Sequence, residues 1–327
     1  MPVHALKASF FARWLRLSAT LLLVTPFAAD ATFSIVACDH AGNCGAAVAT
    51  NNLAVGASVP YAQARVGALV SQFETNPTYG PKGLALLASG QSPTATIQRL
   101  LDGDQHFDGS TIAERQVGVV DAQGHSANYS GAEALNATWA GAAHGDGYSV
   151  QGNGLAGAQV ISAMQQAFLS SRGTLAQRLM ASLVAGQDAG GQVTGRMSAA
   201  LVVRTTEGNW QDIDLRVDGA ADPIKDLSRL MDQHDAWQAI IHAEQQAGKG
   251  SHGAARASLA DALRLSHGWD RIWRRAARLA ISMGDNDAAL DYLGVFVSLN
   301  PVWGRIELKD PLYAPLHGNA AFESWRK

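Results

Sequence analysis

Two amphipathic helical patterns stand side by side at residues 158–170 and 175–185, with hairpin-linked strand runs on both sides of them in the chain. The first puts Val160, Ile161, Met164, Ala167 and Phe168 on one face, and the second carries Leu175, Leu179 and Leu183 one turn apart before Gly186. Two apolar faces in succession must be covered, and the cover on offer is a sheet. Runs of strand length at 32–38, 45–50, 66–72, 116–121 and 125–130 precede the helices, and runs at 198–204 and 212–217 follow them. Two shorter helical patterns, 82–88 and 94–101, lie between the third and fourth runs, the second opened by Ser92 and Pro93. This order predicts a layered α+β domain built on mainly antiparallel sheets. It is not the strand–helix–strand alternation of a Rossmann unit, and no Gly-Lys-[Ser/Thr] marks a phosphate loop.

The first strand run is preceded by Ala29-Asp30-Ala31, which has the small-x-small spacing of a signal-peptidase site. Lys7, Arg13 and Arg16 lead into an apolar run at 17–27 that is too short to span a bilayer, so residues 1–31 read as an export leader. Cutting after Ala31 makes Thr32 the first residue. Its hydroxyl is then a nucleophile beside an α-amine of pKa roughly 7.7 to 8.0, a base able to take the hydroxyl proton near neutrality. Thr32 also fits the plain role of a β-branched residue starting a strand, and both readings stand at this point. Losing a leader with three basic residues and one acidic residue moves the net charge from −3 to −5, a balance that argues against nucleic acid as partner. The expected product is periplasmic or secreted, without membrane contact once the leader is gone.

Cys38 and Cys44 flank the polar segment 39–43, which reads as a hairpin turn. In an oxidising compartment they are either a disulfide across the hairpin or two small buried thiols. No cofactor is expected. No metal is expected either, because His40 alone does not make a zinc site.

Several stretches taken together carry a family resemblance: Thr32-Phe33-Ser34-Ile35-Val36-Ala37, Ala54-Val55-Gly56, Asn76-Pro77-Thr78-Tyr79-Gly80-Pro81-Lys82-Gly83, Arg115-Gln116-Val117-Gly118-Val119-Val120-Asp121, Gln151-Gly152-Asn153, Gly190-Gly191, Ser198-Ala199-Ala200-Leu201 and Asp214-Leu215-Arg216-Val217-Asp218. Across residues 32–229 the chain resembles the DUF1028 family of Ntn-hydrolase-like proteins. The resemblance implies an αββα sandwich whose nucleophile is the mature N-terminal residue, and a reaction class, amide hydrolysis, without a substrate. The chain departs from the family pattern at Gln192, where an acidic residue usually follows the double glycine, and at Gly219-Ala220, where an acidic residue and a histidine are usual.

Attack by Thr32 requires hydrogen-bond donors aimed at the developing oxyanion. Backbone N–H groups or the amides of Asn51, Asn76, Gln151 and Asn153 are the candidates, with Asn76, Gln151 and Asn153 the catalytic ones and Gln151-Gly152-Asn153-Gly154 foremost because glycine lets backbone approach a ligand. That segment equally fits a polar turn satisfying its own backbone. Asn51, Arg115 and Tyr79 are candidates for substrate contact, while Arg115 also fits an ion pair with Asp121 or Asp214. His125 and His144 are read as structural, since an N-terminal amine makes a histidine base unnecessary.

The last third of the chain repeats itself: Gly250, Ala254, Ala255, Leu259, Leu265 and Trp269 recur 34 residues later as Gly284, Ala288, Ala289, Leu293, Leu299 and Trp303. That period, with Leu299-Asn300-Pro301 as an exit, resembles the tetratricopeptide repeat and predicts helix pairs over 237–265 and 272–299. The expected organisation is a leader at 1–31, an αββα domain at 32–232 and an all-α tetratricopeptide-like extension at 233–327. Two functions follow. One is an exported amidohydrolase acting on a small-molecule or peptide amide, and the other is a catalytically inactive protein of the same fold that binds a ligand or partner. The helical repeats suit a protein partner, and assembly into a homo-oligomer is compatible with either.

Overall fold

Alternation along the first strand sets up the layers, because Phe33, Ile35 and Ala37 enter one apolar core while Val36 and Cys38 enter another. In the computed structural model, residues 31–208 and 212–326 are described. Residues 1–30 of the expected leader, and Asn209 of the turn expected before the last strand, lie outside them. The chain runs β1 (Thr32–Cys38), β2 (Cys44–Thr50), β3 (Pro60–Gln63), β4 (Gly67–Phe73), α1 (Tyr79–Ala88), α2 (Pro93–Asp102), β5 (Arg115–Asp121), β6 (Ser126–Ser130), α3 (Ala132–Leu135), β7 (Gly141–Gly145), β8 (Tyr148–Asn153), α4 (Ala158–Ser170), α5 (Leu175–Asp188), β9 (Ser198–Arg204) and β10 (Ile213–Val217). Helices α6 (Pro223–Gly248), α7 (His252–Leu265), α8 (Asp270–Ser282), α9 (Asn286–Leu299), α10 (Pro301–Glu307) and α11 (Ala320–Arg326) complete it.

Two antiparallel sheets form, one in the order β10-β9-β2-β1-β8-β7 and one in the order β3-β4-β5-β6. Helices α4 and α5 cover the outer face of the first through Met164, Phe168, Leu179 and Leu183. Helices α1 and α2 cover the outer face of the second through Leu87, Ile97 and Leu100. The inner faces meet over Val36, Val48, Val70 and Val120 at one end. Toward the other end the same strand positions turn polar. Cys38 lies opposite Cys44 across the β1–β2 hairpin and the two are joined in a disulfide.

The segment 151–153, read from sequence as a loop, is instead the end of strand β8, which lies between β1 and β7. Tyr148 and Val150 face the helices while Ser149, Gln151 and Asn153 face the other sheet, so glycine and polar residues signal a buried polar layer here rather than a turn. Gly118 on the facing strand makes room for Gln151, since a Cβ there would come within 2.0 Å of its Oε1. Gly152-Asn153-Gly154-Leu155-Ala156-Gly157 has the spacing of a dinucleotide fingerprint, yet β8 is antiparallel to both neighbours and forms no βαβ crossover.

Residues 232 and 233, the expected domain junction, fall inside α6. Ile224, Leu227 and Met231 in its first half join the core under α4 and α5, and Ala236, Ile240 and Ala243 in its second half join the helical core with Leu259 and Ile272. One continuous helix therefore belongs to both cores. A second helical core gathers Phe296, Tyr313 and Phe322 around α9, and Trp237 stacks on Trp269 at 5.4 Å. Among the described residues no helix is long and apolar enough to cross a membrane.

Candidate active site

Register builds the site. The hairpin that pairs Cys38 with Cys44 carries on to pair Thr32 with Thr50, and the β1–β8 ladder pairs Thr32 with Asn153. Thr50 in turn pairs with Ser198 of β9, so Ser198, Thr50, Thr32 and Asn153 form one row across the first sheet. The facing sheet contributes the row Gln72, Gln116 and Ser130. Between these rows lies a buried hydrogen-bonded layer.

The Thr32 backbone N–H donates to Asn153 Oδ1 at 3.1 Å, and Thr32 Oγ1 lies 3.1 Å from Thr50 Oγ1. Thr50 Oγ1 donates to the Ala31 carbonyl at 2.7 Å. Asn153 Nδ2 donates to Gln116 Oε1 at 2.9 Å, which also accepts from Gln72 Nε2 at 2.7 Å. Gln116 Nε2 donates to Ser130 Oγ and to the Gly152 carbonyl. Ser34 Oγ donates to Gln72 Oε1 at 2.6 Å, and Gln151 Nε2 donates to Ser34 Oγ at 2.7 Å. These bonds fix which end of each amide faces which neighbour, and they leave Asn153 presenting its oxygen to the Thr32 nitrogen. The saturated network satisfies groups whose burial would otherwise be costly.

The amides proposed from sequence as oxyanion donors are thus directed elsewhere. Asn76 does not reach Thr32, because its Nδ2 donates to Asp104 and its Oδ1 accepts from Thr78. Gln151 and Asn153 are close to the threonine row, but Gln151 Nε2 donates to the Ser34 carbonyl and Oγ, and Asn153 Nδ2 donates one N–H to Gln116 Oε1. Asn51 follows Thr50 at the rim and donates to the Thr194 carbonyl at 2.9 Å, which ties down the loop after the double glycine.

Arg115 and Tyr79, expected at the substrate, belong to a separate closed cluster. The Arg115 guanidinium is 1% exposed and holds both oxygens of Asp104, with Nε to Oδ2 at 3.0 Å and Nη2 to Oδ1 at 3.1 Å. Its partner is therefore Asp104, not Asp121 or Asp214. The Tyr79 hydroxyl also donates to Asp104, and burial together with that carboxylate pushes its phenol up from the ordinary value. Burial alone works against the Asp104 charge, but hydrogen bonds from Arg115, Tyr79 and Asn76 outweigh it and bring the carboxyl down to about 2. His125 pairs with Asp121 at 2.9 Å and His144 lies 3.2 Å from Ser126, both away from Thr32.

Thr50, Gln72 and Gln116 escaped the sequence reading. Thr50 was accessible through the hairpin register once Cys38 is set opposite Cys44, and Gln72 and Gln116 stand in phase with buried valines in apolar strands. Beside the row, Gln192 bridges to Leu155 and is buried with neither amide atom hydrogen-bonded. Gln192→Leu is expected to raise the unfolding free energy by about 1 to 3 kcal/mol, the desolvation cost of an unpaired amide. Urea denaturation measures it, and a loss of stability refutes the assignment.

Thr32 itself is 3% exposed with Ala31 in place. Five cavities on the described residues are lined by other residues. The first of them, about 530 Å³ between β10, α6 and the start of α8, is walled by Leu215, Trp237 and Trp269.

A model of a family of unknown function, DUF1028, matches residues 32–227, beginning at Thr32 itself. Among solved structures, the crystal structure of a DUF1028 protein from Silicibacter pomeroyi is similar at 30% sequence identity with a TM-score of 0.55, over 62% of this chain and 88% of that one. No curated protein matched the chain.

Proposed function

The chain belongs to the DUF1028 family, and on that premise we propose that it is an exported N-terminal-nucleophile amidohydrolase in which mature Thr32 is the nucleophile and its own α-amine the base. The single observation that carries this reading is the pairing of Thr32 Oγ1 with Thr50 Oγ1 at 3.1 Å and of Thr32 N with Asn153 Oδ1 at 3.1 Å, inside a polar layer between two sheets. An amine held by Asn153 keeps one N–H on the amide oxygen and its lone pair free for the threonine proton. Thr32 Oγ then bonds to the substrate carbonyl carbon, its proton passes to the amine, and the carbonyl π pair moves onto oxygen. Collapse breaks the C–N bond as the ammonium returns its proton to the leaving amine. Water, activated by the same amine, cleaves the ester to release the acid and restore Thr32.

The layer order of helices, sheet, sheet and helices accords with the αββα sandwich of Ntn hydrolases, and the helix pairs after residue 232 accord with tetratricopeptide-like repeats for a protein partner. The second reading, a fold that binds without turning over, draws on the closure of the site around Thr32, which is 3% exposed. Processing separates the two. N-terminal sequencing of exported protein is expected to begin at Thr32, and a start at Asp30 or Phe33 removes the free amine and sinks the catalytic reading.

A further inference from the structure

Resting on that reading, we propose that Thr50 is the oxyanion donor and that the space held by Ala31 is the acyl subsite, which restricts substrates to amides whose acyl residue is glycine or alanine. The side-chain amides of Asn51, Gln151 and Asn153 each already donate to another partner. Thr50 Oγ1 differs from them. It accepts from Asn52 N at 3.3 Å, lies 3.1 Å from the nucleophile oxygen and spends its one proton on the carbonyl of Ala31. When the chain is cut after Ala31 that carbonyl leaves, and the Thr50 proton beside Thr32 Oγ1 loses its acceptor. A substrate carbonyl brought to Thr32 Oγ1 places its oxygen within reach of the same hydroxyl. The negative charge that develops on that oxygen is then met by Thr50.

Burial and the approach of Gly154 limit this space. Ala31 is fully buried, and its methyl is pressed against Gly154, where a Cβ would come within 2.5 Å of Ala31 Cβ and 3.2 Å of Ala31 Cα. Gly154 has φ +60°, so glycine serves both the backbone conformation and the close approach. Its amide environment is pinned too, since the Gly154 carbonyl accepts from Val193 N and the next residue, Leu155, is fully buried. Because Ala31 is 0% exposed, a side chain longer than a methyl at this place has to displace the atoms packed around it.

Two measurements test this on the full chain beginning at Thr32. Hydrolysis of N-acetyl-glycine, -alanine, -leucine and -phenylalanine p-nitroanilides is expected to favour the first two by at least about tenfold in kcat/KM, the discrimination a tight wall gives per added methylene. Thr50→Val, which keeps the shape and removes the proton, is expected to lower kcat by about a hundredfold with KM little changed, and Thr50→Ser to restore most of it. The second measurement needs no turnover. The Thr32→Ala chain is expected to bind N-acetylalaninamide at least about tenfold more tightly than N-acetylleucinamide by calorimetry, with Gly154→Ala abolishing the preference. Thr32-dependent hydrolysis that is indifferent to acyl size overturns the subsite, and unchanged kcat in Thr50→Val overturns the donor. Size-selective binding with no hydrolysis of any anilide sinks the hydrolase reading and the donor together while the subsite stands. Absence of both sinks all three.

Discussion

Arg115→Met is expected to lower the unfolding free energy by about 3 to 5 kcal/mol at pH 7, the usual result of stripping one partner from a buried ion pair. Arg115 is 1% exposed, and its guanidinium also donates to the carbonyls of Glu74, Phe107 and Ser110, so methionine fills the stem but leaves those oxygens and the Asp104 carboxylate without their donor. The segment it ties down is locally unfavourable, because Gln105, His106 and Asp108 all sit at φ between +54° and +57°. Left-handed backbone at a non-glycine residue costs of order 1 kcal/mol each. Arg115 offsets that cost.

The pH dependence gives the sign. Asp104 lies at about 2 when folded against 3.8 ordinarily, so its stabilising contribution is complete above pH 4 and is lost as pH falls toward 2. In Arg115→Met the buried carboxyl has lost its main cation, its pKa rises above the ordinary value, and acid now relieves the penalty. The difference between the two proteins is therefore expected to shrink from pH 7 to pH 3. Urea denaturation at both values measures it, and a constant gap, or a change below about 1 kcal/mol at pH 7, shows that Arg115 and Asp104 contribute no more than an exposed pair.

What local pattern could reveal and what it could not divide along physical lines. Strand β1 was readable to the residue because it is a short apolar run buried on both faces, and helix α4 because it buries one face on its own period and is closed off by Gly157 and Ser171. The disulfide register of Cys38 and Cys44 even contains the pairing of Thr32 with Thr50. Strand β8 was not readable, since the partners that satisfy Gln151 and Asn153 lie on β1 and β5, 37 or more residues away in sequence. Local rules assign a Gln-Gly-Asn-Gly stretch to a turn because they see no such partners. Asp104 was hidden for the same reason, being one buried carboxylate within a segment that is otherwise exposed and polar. The 34-residue repeat was legible as helices, but the point where the two cores meet was not. α6 shares its faces between them and leaves no linker to find.

Thr32→Ala is expected to lower hydrolysis of whichever anilide is best by at least about a thousandfold while leaving the unfolding free energy within about 1 kcal/mol. The chemistry concentrates nucleophile and base in one residue, so the loss of Oγ removes the bond-forming atom, and the neighbouring Thr50 hydroxyl, which sits on the adjacent strand at 3.1 Å, carries no amine of its own. Gln72, Gln116, Gln151 and Asn153 are amides without nucleophilic or basic character at neutral pH. The fold loses one buried methyl and a hydroxyl contact with Thr50, at 3.1 Å. Thr32→Ser keeps the oxygen and the amine and is expected to retain part of the rate. Rate should rise with pH through the α-amine pKa, because only the neutral amine accepts the proton. An exposed amine titrates at roughly 7.7 to 8.0; here burial disfavours the cation, and Asn153 Oδ1, a neutral acceptor, lacks the charge of a carboxylate to counter it, so the midpoint is expected below that range. Acetylating the amine should reproduce the alanine variant with Oγ still present. That last comparison separates a base from a bystander, since an acetylated chain with normal turnover leaves the proton to some other group, and Thr32 is then not its own base.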